Sequence, residues 1–125
     1  MEDIKELTKA EEQIMQELWE MNGGFVKDVI ERLPDPKPAY NTVSTIIRIL
    51  ETKGFVIHES FGKSHRYLPK IEKEDYKKLV TGKLLHNYFD NSPTSMLSFF
   101  LEEKKVDVKD LDEILQIIQK NKSSS

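Results

Sequence analysis

The chain has no cysteine among its 125 residues. That excludes a disulfide framework, a thiol nucleophile and any thiolate metal site. It also lacks a long hydrophobic run, since nothing in it approaches the roughly 20 apolar residues that a membrane span needs. The acidic N-terminus has neither the basic nor the oily part of a signal peptide, so the expectation is a cytoplasmic protein that is not membrane-embedded. Apart from the terminal "SSS" there is no low-complexity tract and no repeat. No glycine-rich phosphate loop or serine-nucleophile motif occurs. Histidine is scarce as well. His58 and His65 fall on opposite strands of an expected hairpin and can face each other, but two histidines without a nearby third ligand do not make a metal site. His86 has no carboxylate or nucleophile at catalytic spacing. These absences predict no enzymatic activity, no cofactor, no metal and no small-molecule substrate.

What is present is a charged sequence, 38% hydrophobic and 33% charged, long enough for one domain or a small domain with an appendage. The net charge of −3 argues against a nucleic-acid partner, but its distribution argues for one. Residues 1–36 carry 4 bases and 10 acids, and residues 68–125 carry 10 of each. Residues 37–67 hold Lys37, Arg48, Lys53, Lys63 and Arg66 against only Glu51 and Glu59. The basic excess is therefore local.

Periodicity divides the chain into short elements. "LTKAEEQIMQELWEMNGG" opens with a capping box, Thr8 to Glu11, and Leu7, Ala10, Ile14, Leu18 and Met21 recur as one buried stripe. Gly23 and Gly24 stop it. Trp19, beside Leu18, reads as packing. "FVKDVIERL" is a short second helix with Val26, Val29, Ile30 and Leu33 on one face, and "PDPKP" cannot continue it. A third helix runs from about Tyr40 to Lys53, with Val43, Ile46, Ile47 and Leu50 as its apolar stripe and Gly54 as its stop. "FVIHES" and "HRYLPK", joined through "FGKS", read as a β-hairpin. Three helices and a hairpin make a compact unit over residues 1–70.

The third helix is unusual on its other face. Asn41, Thr42, Ser44, Thr45 and Arg48 project away from the apolar stripe, where a merely packed helix shows Lys and Glu. Threonine is a poor helix former, so these residues weaken the helix they sit in. Short polar side chains suit a helix that enters the major groove, because long ones hold the backbone away from the base edges. Asparagine pairs with adenine, arginine with guanine, and a threonine methyl meets the methyl of thymine. Tyr40 to Thr45 occupy the N-terminal part of the second helix of a helix-turn-helix, the part that faces bases. Arg48 can reach a base or a phosphate. The hairpin then acts as a wing whose Lys63, Ser64, His65 and Arg66 can hold phosphates. The alternative is a winged-helix adaptor that binds protein and not sequence-specific DNA.

From residue 71 the helical pattern returns, and residues 71–122 read as a helical dimerisation region followed by a disordered tail at 123–125. Tyr76, Leu79, Val80, Leu84 and Tyr88 form one stripe. "SPTSMLSFFLEEKK" has Ser92 as a cap and Pro93 at the first helical position. "DVKDLDEILQIIQKNK" carries Leu111, Ile114, Leu115 and Ile118. Thin amphipathic helices cannot enclose a large core alone, and Met96, Phe99 and Phe100 add to the apolar surface to be covered. Pairing with a second copy buries it, and folding back on the first unit is the alternative. The fold class is thus mainly α with a small β-hairpin: a winged helix-turn-helix domain followed by C-terminal dimerisation helices.

The residues resemble a known family. "LTKAEEQIMQELW", "VKDVIERL", "YNTVSTIIRILETKGFVIHE" and "GKSHRYLP" follow, in order and spacing, the penicillinase-repressor family, which takes in the BlaI-, MecI- and CopY-type repressors. The resemblance spans residues 7–120 and is strongest from Leu7 to Pro69. It implies a homodimeric winged-helix transcriptional repressor on double-stranded operator DNA with an inverted repeat, its base contacts at Tyr40 to Thr45 and Arg48. It also implies a partner in a membrane metallopeptidase sensor that relieves repression by proteolysis in the C-terminal region. The Asn–Phe pair cut in the family's β-lactamase repressors aligns with Phe99–Phe100, where the phenylalanine is kept and the asparagine is not. The copper-responsive branch uses a C-terminal cysteine motif, which this chain lacks.

Overall fold

The computed structural model describes residues 4–124, with side chains described through residue 121. The element order is α1 (Lys9–Met21), α2 (Val26–Arg32), α3 (Tyr40–Thr52), β1 (Val56–Phe61), β2 (Ser64–Pro69), α4 (Lys73–Phe89), α5 (Pro93–Glu102) and α6 (Val108–Ser124). Among the described residues no helix is long and apolar enough to cross a membrane. The chain forms two compact units, which meet in sequence between Val80 and Thr81.

The first unit is built as its sequence dictates at most points. Thr8 caps α1 in a full capping box: its hydroxyl accepts from the Glu11 amide at 3.2 Å, and the Glu11 carboxylate accepts from the Thr8 amide at 2.9 Å. Ile14, Met15 and Leu18 bury against Val29 of α2 and Val43, Ile47 and Leu50 of α3 in one core that Phe55 and Val56 complete. The α1 stripe differs from expectation at one place. Ala10 lies exposed, and the fully buried Met15 takes its share of the face.

Between α1 and α2 the backbone turns sharply. Asn22 is left-handed at φ 58°, and Gly23 follows at φ 108°. A Cβ on Gly23 would lie 2.6 Å from a methyl of Leu68 and 3.0 Å from the Tyr67 carbonyl oxygen, so only glycine fits. The close approach lets Gly24 pair with Tyr67, each amide donating to the other's carbonyl at 2.9 Å. That bridge pins the hairpin to the helices. β1 and β2 pair antiparallel in the register Val56 with Pro69 through Phe61 with Ser64, turning at Gly62 and Lys63 with Gly62 at φ 61°.

The expected boundary at residue 70 falls short, because the first unit continues to Val80. Tyr76, read from its periodicity as a dimer contact, is 5% exposed in the core of this unit. Its hydroxyl accepts from the Leu7 amide at 2.8 Å, and its ring lies 5.6 Å from Phe55 and 5.9 Å from Trp19. Leu79 packs partly buried against the same core. The start of α4 thus closes the first unit, and the buried Tyr76 is not available to a partner, while Leu79 is half-buried. Trp19 packs as expected, its indole N–H donating to the Ile71 carbonyl at 2.9 Å.

The second unit holds the end of α4 with α5 and α6. Ser92 caps α5 through the Ser95 amide, with Pro93 at the first helical position. Phe89 and Phe99 lie 5.6 Å apart, and an apolar hollow of about 390 Å³ opens among Leu84, Tyr88, Phe89 and Phe99. Leu84, Tyr88, Phe99, Leu101, Val108, Leu115, Ile117 and Ile118 are exposed, and Met96, Phe100, Leu111 and Ile114 are half-buried. The tail expected at 123–125 overlaps the end of α6, which runs to Ser124, and Ser125 lies outside the described residues.

Candidate nucleic-acid interface

α3 begins without a side-chain cap, since Ala39 stands at the N-cap position and offers no acceptor. Its polar face opens to solvent: Asn41, Thr42, Thr45 and Arg48 are exposed, Ser44 is half-buried, and Tyr40 is exposed at the first helical position. At about 100° per residue, Asn41, Thr45, Arg48 and Thr52 form the centre of this face. Tyr40, Ser44 and Glu51 line the edge toward the hairpin, and Thr42 and Ile49 line the other edge. No acidic residue precedes Glu51 along the helix.

The hairpin stands beside that edge. Tyr40, Ser44 and Arg48 from α3, Lys63, Ser64, His65 and Tyr67 from the wing, and Val26 of α2 line a cleft of about 300 Å³. Tyr67 is 4% exposed, its ring packed in the core. Burial pushes its phenol above the usual range, the Glu51 carboxylate adds to the rise, and Arg48 pulls against it. Behind Tyr67 the His58 and His65 rings stack 4.3 Å apart, and His58 Nδ1 lies 2.6 Å from Glu51 Oε2. The two histidines face each other as the hairpin reading expected, and among the described residues no group of three potential ligands forms a metal site.

A model of the family described as penicillinase repressor matches residues 7–120. The chain belongs to the penicillinase repressor family. It is similar to the penicillinase repressor of Bacillus licheniformis, 25% identical over 124 residues that cover 98% of this chain and 97% of that one. It is similar also to the methicillin resistance regulatory protein MecI of Staphylococcus aureus, 22% identical over 92% of this chain and 94% of that one. Among solved structures it resembles the DNA-binding domain of the repressor BlaI, with a TM-score of 0.52 and 27% identity over 61% of this chain and 94% of that one. The fold is thus a winged helix, and the family is one of transcriptional repressors, not enzymes.

Within this repressor fold, the ten residues expected to face DNA divide. Tyr40, Ser44, Arg48, Lys63, Ser64 and His65 meet around the cleft, while Asn41, Thr42 and Thr45 lie on the open face beside it. Arg66 does not join them. Side chains alternate along a strand, so it shares the opposite hairpin face with its cross-strand partner Glu59, whose carboxylate lies 3.6 Å away. The local basic excess also resolves into roles. Lys37 caps α2 through the Glu31 and Leu33 carbonyls, and Lys53 pairs with the buried Glu11 at 2.6 Å. Among the described residues, Arg48 and Lys63 are the bases of this segment whose side chains have neither a salt bridge nor a hydrogen bond, and both line the cleft. Tyr67, Thr52 and Ile49 were missed from sequence. Tyr67 lies within a strand run, and only the register reveals which way it faces.

Proposed function

We propose that this repressor acts as a homodimer on an inverted-repeat operator, with α3 of each chain in a major groove. Asn41, Thr42 and Thr45 meet base edges, and the wing residues Lys63, Ser64 and His65 lie against the backbone. One observation carries this reading: a helix whose outward face is largely short and polar, with no acid before Glu51, borders a cleft where the segment's unpaired bases Arg48 and Lys63 converge. A protein-binding adaptor has no use for that combination. Residence in the cytoplasm follows from such a role.

Dimerisation is assigned to the second unit, where Leu84, Tyr88, Phe99, Leu115 and Ile118 offer apolar surface. Met96, Phe100, Leu111 and Ile114 extend the proposed surface, and Val80 lies exposed at the end of the first unit. Two tethered heads reinforce each other, since binding one half-site raises the effective concentration at the next. Relief by cleavage at Phe99–Phe100 by a membrane metallopeptidase sensor acts on this dimer and leaves α3 unaltered. The bond lies inside α5, so that helix must unwind before a protease can grip it.

The test is selection of bound duplexes from a random pool by the full chain, followed by stoichiometry on the enriched sequence. The reading expects an inverted repeat, two chains per duplex, and an affinity that falls steeply with salt. Absence of any enriched sequence, with weak binding indifferent to salt, favours the adaptor.

A further inference from the structure

The cleft beside α3 holds a polar group that neither base reading nor core packing uses. Tyr67 is 4% exposed, yet its hydroxyl has no hydrogen-bond partner among the described residues and is not sealed from solvent. Tyr67 lines the cleft beside Tyr40 and Arg48 of α3 and Lys63 of the wing. Arg48 and Lys63, the unpaired bases, line the same cleft with Ser44 and Ser64. Glu51, the nearby acid, is drawn to His58 at 2.6 Å. Two cations and a fixed neutral donor around one opening suit a singly charged oxyanion, for which charge-assisted hydrogen bonds are the strong ones.

We propose that this cleft seats one phosphodiester group of bound DNA, with the Tyr67 hydroxyl donating to a non-bridging oxygen between Arg48 and Lys63. The proposal rests on the DNA-binding reading and sharpens it in two ways. Arg48 becomes a backbone contact and not a base reader, and a core tyrosine joins the interface. The bound phosphate also ties α3 to the wing, so both must be in place for the seat to form. Such a contact sets the register of the helix in its groove without carrying sequence information itself.

The experiment uses the full chain, the selected duplex and Tyr67→Phe, which removes one oxygen and leaves the ring in the core. Affinity is measured for both proteins on the duplex and on versions with one phosphodiester at a time replaced by an uncharged methylphosphonate. The expected result is a loss of about tenfold for Tyr67→Phe, the scale of one hydrogen bond to a charged group. One methylphosphonate position per half-site should weaken the wild type and abolish the difference between the proteins. Equal affinity of the two proteins overturns the proposal, and so does a loss that no single position cancels. Inorganic phosphate, added at constant ionic strength, separates a second source of the same chemistry. Competition relieved by Tyr67→Phe, with no methylphosphonate position coupled to Tyr67, reassigns the cleft to a free phosphate and overturns the backbone contact. If the wild type selects no duplex at all, the failure belongs to the DNA-binding reading itself.

Discussion

Replacing Lys53 by methionine tests how the reading helix is anchored. Glu11 is 6% exposed, and its carboxylate takes the Lys53 ammonium at 2.6 Å and the Thr8 amide at 2.9 Å. Lys53 is the C-cap residue of α3, so the pair ties the start of α1 to the end of the helix proposed to enter DNA. Removing one partner of a buried ion pair costs about 3–5 kcal/mol, because the other charge is stranded. The Lys53 side chain keeps 22% of its surface, so water softens the loss and about 2–3 kcal/mol is the expected cost of Lys53→Met. Glu11→Gln should cost less, about 1–2 kcal/mol, since the partly exposed ammonium can turn to solvent. The double variant should fall short of the sum, because it leaves no stranded charge. Denaturant unfolding followed by Trp19 fluorescence reads all three, as that indole is held in the first unit. Additive losses, or single-variant losses within about 0.5 kcal/mol of zero, would refute the reasoning.

The same pair has a pH signature. Burial raises the Glu11 carboxyl, but the hydrogen bonds and charge of Lys53 and the Thr8 contacts outweigh it and leave the group below its ordinary value. A depressed folded pKa contributes stability above the unfolded carboxylate range and loses it as pH falls through the folded value. Acid unfolding should therefore be shallower in Glu11→Gln than in the wild type over that interval.

Three further outcomes follow from particular contacts. Gly23→Ala should destabilise the first unit by about 2–3 kcal/mol, through its positive φ and the overlap with Leu68, and fluorescence-detected melting checks it. Tyr76→Phe should cost about 1–2 kcal/mol by leaving the Leu7 amide unpaired, with no change in the self-association constant by sedimentation equilibrium. Lys63→Ala should lower the slope of log affinity against log salt by about 1 on any duplex, and an unchanged slope would remove it from the backbone.

Much of the fold was legible because local rules and tertiary packing agreed. The Thr8 box, the Val43–Ile47–Leu50 stripe and the hairpin around Gly62 each follow from spacing and turn chemistry alone. The failures share a cause. Tyr76 lies on a helical stripe, and periodicity says that a face is buried without saying against what. The capping box predicts the contact of Glu11 with Thr8 but not its ion pair, since Lys53 is 42 residues away. Arg66 and Lys63 are alike in sequence, but Arg66 stands in β2 opposite Glu59, while Lys63 stands in the turn and lines the cleft. Tyr67 was hidden for the same reason, because a core ring can still present its hydroxyl outward.

The central claim is that α3 reads bases through its short polar face. Its most direct test compares wild type and Asn41→Ala on the selected duplex and on a scrambled duplex at one salt concentration. Asn41 is exposed and off the apolar stripe, so its loss should not disturb folding. The account expects a loss of about 1–3 kcal/mol on the selected duplex and none on the scrambled one. Equal effects on both, or no effect on either, would contradict it.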